Sequence, residues 1–151
     1  MVYLGIIAVI FTGEWLLKNR IEKKEKEDVD RIAPGGFLLI RKHHNRGFAL
    51  NKASARQPFV AAVSLGLAVF CTLLFAASLG HRGNTLLRTG LALLLGGAYS
   101  NTYDRLCRKY VVDYFSFNVP VKGIQNIIFN ISDFCILIGA LLCALTGSGT
   151  D

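Results

Sequence analysis

The chain has 151 residues, of which 52% are hydrophobic and only 18% charged, against roughly 25% charged in soluble globular domains. Its formal net charge is +7, and 11 of the 17 Lys and Arg fall between Lys18 and Arg56, beside apolar runs. This balance excludes a soluble enzyme, a disordered chain and a secreted disulfide domain, and the basic residues suit a membrane surface better than a nucleic acid.

The uncharged runs predict four membrane-spanning helices in a single domain over residues 1–151, because about 20 helical residues cross about 30 Å of hydrocarbon. The first covers about residues 2–22 and turns charged at Lys18. Without a basic leader or a small-residue cleavage site, it is expected to be a retained helix rather than a signal peptide. Residues 23–35 are a charge run ending at Pro34-Gly35-Gly36. Phe37-Leu-Leu-Ile then predicts a strand, Asn45-Arg46-Gly47 a turn and Phe48-Ala49-Leu50 a return strand, a small β-cradle over about 37–50. Helix two follows from about Pro58 to Gly80, within 24 residues free of Asp, Glu, Lys and Arg. Helix three runs from about 85 to 108, with Arg88 close enough to one end to snorkel. Residues 114–126, aromatic at their start, suit a segment lying in the interface. Helix four is expected over about 124–145. The four Cys form no CxxC pair and read as small core hydrophobes.

Ionisable groups at membrane depth are expensive, so their positions carry information. Asn101, Asp104 and Arg105 share one face of helix three, and Gly96-Gly97-Ala98 before them lets a neighbouring helix approach. Asp113 follows a Val-Val pair that disfavours continued helix. Asn130 and Asp133 are three apart on helix four, with Asp133 expected roughly 9–14 Å below its start. Because helices three and four form a hairpin, Asp113 and Asp133 fall near the same membrane face, which the Asn45 turn also reaches. Two carboxylates in a partly dry site share a proton and equip a chain for aspartic hydrolysis. Interhelical hydrogen bonding without chemistry accounts for the same residues. His43-His44 suits a solvated loop, and Glu14 with Lys18 an i,i+4 pair neutralised near the interface.

Three blocks stand in order: Gly96-Gly-Ala-Tyr-Ser-Asn-Thr-Tyr-Asp-Arg105, Tyr110-Val-Val-Asp-Tyr-Phe115 and Phe129-Asn-Ile-Ser-Asp133. With Asn45-Arg-Gly-Phe-Ala-Leu50 and Glu14-Trp-Leu-Leu-Lys18, the sequence resembles the lipoprotein signal peptidases (signal peptidase II) over nearly its whole length. The resemblance implies an aspartic endopeptidase of the bacterial inner membrane that cuts prolipoproteins just before their diacylglyceryl-modified Cys. It implies Asp113 and Asp133 as the catalytic dyad, framed by Asn45, Asn101, Arg105 and Asn130, with Asp104 supporting Arg105. It also implies an all-α membrane protein with an extracytoplasmic β-cradle, both termini cytoplasmic and the site near the outer face. No cofactor, metal or nucleic acid is expected; membrane lipids and a monomeric state are.

The chain departs from the family's pattern at Glu14 for Asp, Ser100 for Gly, Ser132 for Ala and Phe48-Ala-Leu for Ala-Ala-Phe. The alternatives are a catalytically silent relative binding lipoproteins or lipid, and a small proton-coupled transport subunit. The positive-inside count opposes the family's orientation: 15 Lys and Arg lie on the Asp113 side, in 18–56 and 105–122, against Arg82 and Arg88 opposite.

Overall fold

The computed structural model describes all residues except 26–28, 48–55, 81–82 and 148–151. Its elements in chain order are α1 (Val2–Lys24), β1 (Arg31–Ile32), β2 (Leu38–Asn45), α2 (Gln57–Leu79), α3 (Thr85–Cys107), β3 (Val111–Phe117), α4 (Lys122–Gln125) and α5 (Ile131–Gly147).

The helix α3 is central and packs against α1, α2 and α5. Its glycines set the spacing. A Cβ on Gly97 would fall on the Ser132 carbonyl oxygen, one on Gly96 would come within 2.8 Å of Ile10 Cβ, and one on Gly90 within 2.8 Å of the Gly139 carbonyl oxygen. The close approach expected at Gly96-Gly97 is thus made on two sides at once, by α1 and by α5. The outer helices turn large apolar side chains outward, among them Val9, Leu16, Phe70 and Leu73, each more than half exposed. A continuous apolar exterior of this kind suits lipid rather than water. Among the described residues two helices, α1 and α2, are long and apolar enough to cross a membrane, and α5 is a shorter apolar helix.

Above the bundle sits a three-stranded antiparallel sheet in the order β1-β2-β3. Here the structure corrects the expected cradle. One strand runs from Leu38 through His43 and His44 to Asn45, and its partner is β3, with Ile40 opposite Phe115 and Asn45 opposite Val111. Phe48–Leu50, expected as the return strand, lie outside the described residues. His44 is not in a solvated loop: its ring stacks on Tyr110 at 3.9 Å and its Nε2 lies 2.7 Å from Glu22 Oε1.

The segment expected at the interface from residue 114 begins as strand, because Val111-Val112 and the aromatic residues after them favour extended backbone. Phe115 and Phe117 pack with Phe129 and Phe134, with ring centroids between 5.8 and 6.3 Å apart across the two pairs. The fourth long helix starts at Ile131, not near residue 124. The short α4 stops at Gln125, and Phe129 then pairs with Phe115 through two backbone hydrogen bonds of 2.7 and 3.1 Å. Asp133 therefore lies in the first turn of α5 rather than two turns below its start.

Candidate active site

That first turn is built around Asn130. Its Oδ1 accepts from the Asp133 backbone N–H at 3.0 Å, and Asp133 Oδ2 accepts from the Asn130 backbone N–H at 3.1 Å. This is a reciprocal capping box with Asp in the third position. The Asn130 side chain also donates from Nδ2 to Asp113 Oδ1 at 2.6 Å. One asparagine thus ties both carboxylates into a single frame. The second oxygen of each is held by another amide: Asn45 donates to Asp113 Oδ2 at 3.1 Å, and Asn101 to Asp133 Oδ1 at 3.0 Å.

Asp113 is buried in β3, whereas Asp133 is half-buried. Both line a cavity of about 420 Å³ together with Asn45, Asn101 and Arg105. Burial first, and the Asp133 charge second, push the Asp113 carboxyl up to about 7, against the hydrogen bonds from Asn130 and Asn45 and the distant Lys18 charge. A carboxylic acid and a carboxylate facing one cavity near neutral pH can between them donate and accept a proton.

Arg105 reaches the Gly47 carbonyl oxygen from one terminal nitrogen at 3.3 Å, while its buried Nε has no protein partner among the described residues. Asp104 does not turn to it. Its carboxylate meets Lys18 Nζ at 2.9 Å and Arg108 Nε at 3.1 Å. Through Lys18, Asp104 ties α3 to α1.

That link leads to residues the sequence reading left at the membrane surface. Lys18 is fully buried and donates to Ser100 Oγ at 3.0 Å and to Asn101 Oδ1 at 2.9 Å. It thereby fixes which way the Asn101 amide faces, leaving Nδ2 for Asp133. Glu14, 3.6 Å from Lys18, accepts from Tyr114 OH at 2.5 Å, from the Ser132 N–H at 3.1 Å and from Ser132 Oγ at 2.7 Å. Tyr114 OH in turn accepts from the Ile131 N–H at 3.1 Å. Burial and Glu14 push the Tyr114 phenol well above its usual value, so it stays a donor. A Glu and a Lys inside an otherwise apolar helix were the signal: at that depth a charge pair implies buried partners.

A second lobe of about 480 Å³ joins the site. It shares Asn101, Arg105, Asp133 and Ile136 with the first cavity and extends along α2 and α3 past Leu67, Cys71 and Leu94.

Comparison with known proteins gives first the class. The chain superposes over 99% of its length on a structure described as a bacterial membrane enzyme, solved by the in meso method at 2.3 Å resolution, with a TM-score of 0.82, 23% identity and 90% of that chain covered. The fold is that of a bacterial membrane enzyme. A family model described as signal peptidase (SPase) II matches residues 6–147. The lipoprotein signal peptidase of Mesorhizobium japonicum is 31% identical over 140 residues, which cover 91% of this chain and 79% of that protein. The enzyme of the same name from Caldicellulosiruptor bescii is 33% identical over 143 residues, 94% of this chain and 87% of that one. The chain belongs to the signal peptidase II family.

Proposed function

We propose that this protein removes the signal peptides of prolipoproteins by aspartic proteolysis, with Asp113 and Asp133 as the dyad, cutting before the diacylglyceryl-modified Cys. The observation that carries this reading is the pair of carboxylates lining one cavity, cross-tied by Asn130. The ionised member takes a proton from a water molecule as that water attacks the scissile carbonyl carbon, and the neutral member donates to the carbonyl oxygen. As the tetrahedral gem-diol collapses and its C–N bond breaks, one of its hydroxyls returns a proton to the dyad while the leaving nitrogen receives one from it, so the dyad ends with one proton shared, as it began. Arg105, with its open Nε, and Asn45 are positioned to bind the substrate backbone beside the dyad.

In this reading α1, α2, α3 and α5 all span the inner membrane, both termini are cytoplasmic, and the dyad works near the outer face as a monomer. The substrate arrives laterally. Keeping its acyl chains in the bilayer contributes about 0.8 kcal/mol per CH₂, which a cleft reached only from water would lose. The apolar lobe along α2 and α3 supports such a route because it ends at Asp133 and Arg105.

A gel-shift cleavage assay on the purified chain tests this. Asp113→Asn and Asp133→Asn should each lower turnover of a diacylglyceryl-modified precursor by about 10²–10⁴-fold, the usual worth of a general acid or base, with the fold intact by circular dichroism. The unlipidated precursor should be a very poor substrate. Near-native turnover by either variant would reject the dyad, and efficient cleavage of the unlipidated form would reject the substrate class.

A further inference from the structure

A third cavity does not belong to the site above. It measures about 580 Å³ and lies between the last turns of α1, the sheet and the start of α5. Its walls are apolar: Leu17 and Ile21 from α1, Leu38 and Ile40 from β2, Phe115 from β3. Neither of the paired carboxylates nor Arg105 lines it.

Its rim is basic. Arg20 and Lys24, one helical turn apart, and Arg31 on β1 meet there with, among the described residues, a single acid, Glu25. Glu25 is engaged by Arg31 at 2.8 Å, whereas Arg20 and Lys24 are exposed and form no ion pair among the described residues. Strand register sets Arg31 opposite Ile40 and Ile40 opposite Phe115, so the basic rim residue and the apolar wall are neighbours across the sheet. Beside it Val29, Ile32 and Phe37 are each more than half exposed, an apolar fringe that suits contact with a bilayer.

Charge outside and hydrocarbon inside, at one opening, describe a single kind of ligand. The geometry points to a binding site for one anionic phospholipid, its phosphate held by Arg20, Lys24 and Arg31 and an acyl chain lying against Leu17, Ile21 and Phe115. Basic pockets at a membrane surface recognise anionic headgroups in this way. Tyr114 joins the cavity floor to Glu14 and Ile131, so an occupied cavity braces the start of the helix that carries Asp133.

The test reads lipid retention and is independent of the peptidase reading. The purified full chain in detergent is mixed with dioleoylphosphatidylglycerol or dioleoylphosphatidylcholine, and retained lipid is counted by native mass spectrometry. One phosphatidylglycerol should be held about tenfold or more tightly than phosphatidylcholine. Arg20→Gln/Lys24→Gln/Arg31→Gln, all at the rim, should remove that preference without changing the melting temperature. Leu38→Trp, which fills the cavity, should remove retention of both lipids. Equal retention of the two lipids by the native chain would overturn the proposal, as would unchanged retention in both variants. Glycerol phosphate binding as tightly as the full lipid would also overturn it, since the acyl chain would then contribute nothing.

Discussion

At the scale of single residues, two departures from the family's pattern turn out to be one contact. Glu14 stands where an Asp is expected and Ser132 where an Ala is expected, and Ser132 Oγ donates to Glu14 Oε2 at 2.7 Å. Neither was legible as a pair, because the partners are 118 positions apart. Glu14→Asp and Ser132→Ala should each destabilise the protein by about 1–3 kcal/mol, since each removes or weakens a hydrogen bond to a buried carboxylate. The double variant should cost less than the sum, with a coupling of about 0.5–3 kcal/mol. Denaturant melts of the four proteins measure it, and strict additivity would mean the contact contributes nothing. Asp113 gives a second prediction. Its raised carboxyl keeps its proton to about pH 7, so turnover should fall as pH rises through that value. Stability from the neutral form follows the same sign, complete below the ordinary carboxylate range and lost by about 7. Asn45 favours the charged form, so Asn45→Ala should move the falling limb of the pH–rate profile upward. An unmoved limb would detach Asn45 from the dyad.

At the scale of elements, the glycines of α3 and α5 decide how close the two helices come. Gly66 on α2 has open space around it, whereas Gly97 abuts the backbone of Ser132. Gly66→Ala should therefore stabilise by about 0.5–1 kcal/mol through helix propensity. Gly97→Ala should destabilise and also lower turnover, because Ser132 cannot retreat without moving Asp133. Thermal melts and the cleavage assay read the two effects, and a neutral Gly97→Ala would show the contact can relax. The long helices were readable in the sequence because each is an apolar run of helical length. The start of α5 was not. Asn130 with Asp133 is a capping pattern with Asp where Glu or Gln is usual, and the backbone pairing of Phe129 with Phe115 depends on a strand far from it in sequence. The sheet was half legible: the apolar run at Phe37–Ile40 marks β2, but nothing local says that its partner is β3.

At the scale of the molecule, charge and family disagree about which way the protein faces. The basic residues gather on the sheet side, which the positive-inside rule would keep in the cytoplasm, while the proposed topology sets that side outside. Several of them are engaged locally: Arg41 pairs with Asp30 at 2.7 Å, Lys42 with Glu22 at 3.7 Å and Arg31 with Glu25. A region folded around its own counter-ions weakens the count. Lys23→Cys, at an exposed position in the last turn of α1, in a chain with its four native Cys replaced, should react with a membrane-impermeant thiol reagent added to intact cells. Labelling only after lysis would reverse the proposed orientation. The legible part of the site at this scale was the gathering of Asn45, Asn101, Arg105, Asp113, Asn130 and Asp133 at one end. The buried bracket of Glu14, Lys18 and Tyr114 beneath it was not, because only the folded bundle brings α1 under β3.

The bracket also bears on the order in which the chain is made. The first helix leaves the ribosome carrying Glu14 and Lys18, and their later partners Ser100, Asn101 and Asp104 belong to a helix synthesised long after it. During that interval the first helix has only its own i,i+4 pair to satisfy two charges in an apolar surrounding. In the proposed topology, its residence in the bilayer is provisional until α3 arrives. In that topology the residues that orient the site are thus also those that make α1 depend on α3 for its membrane insertion.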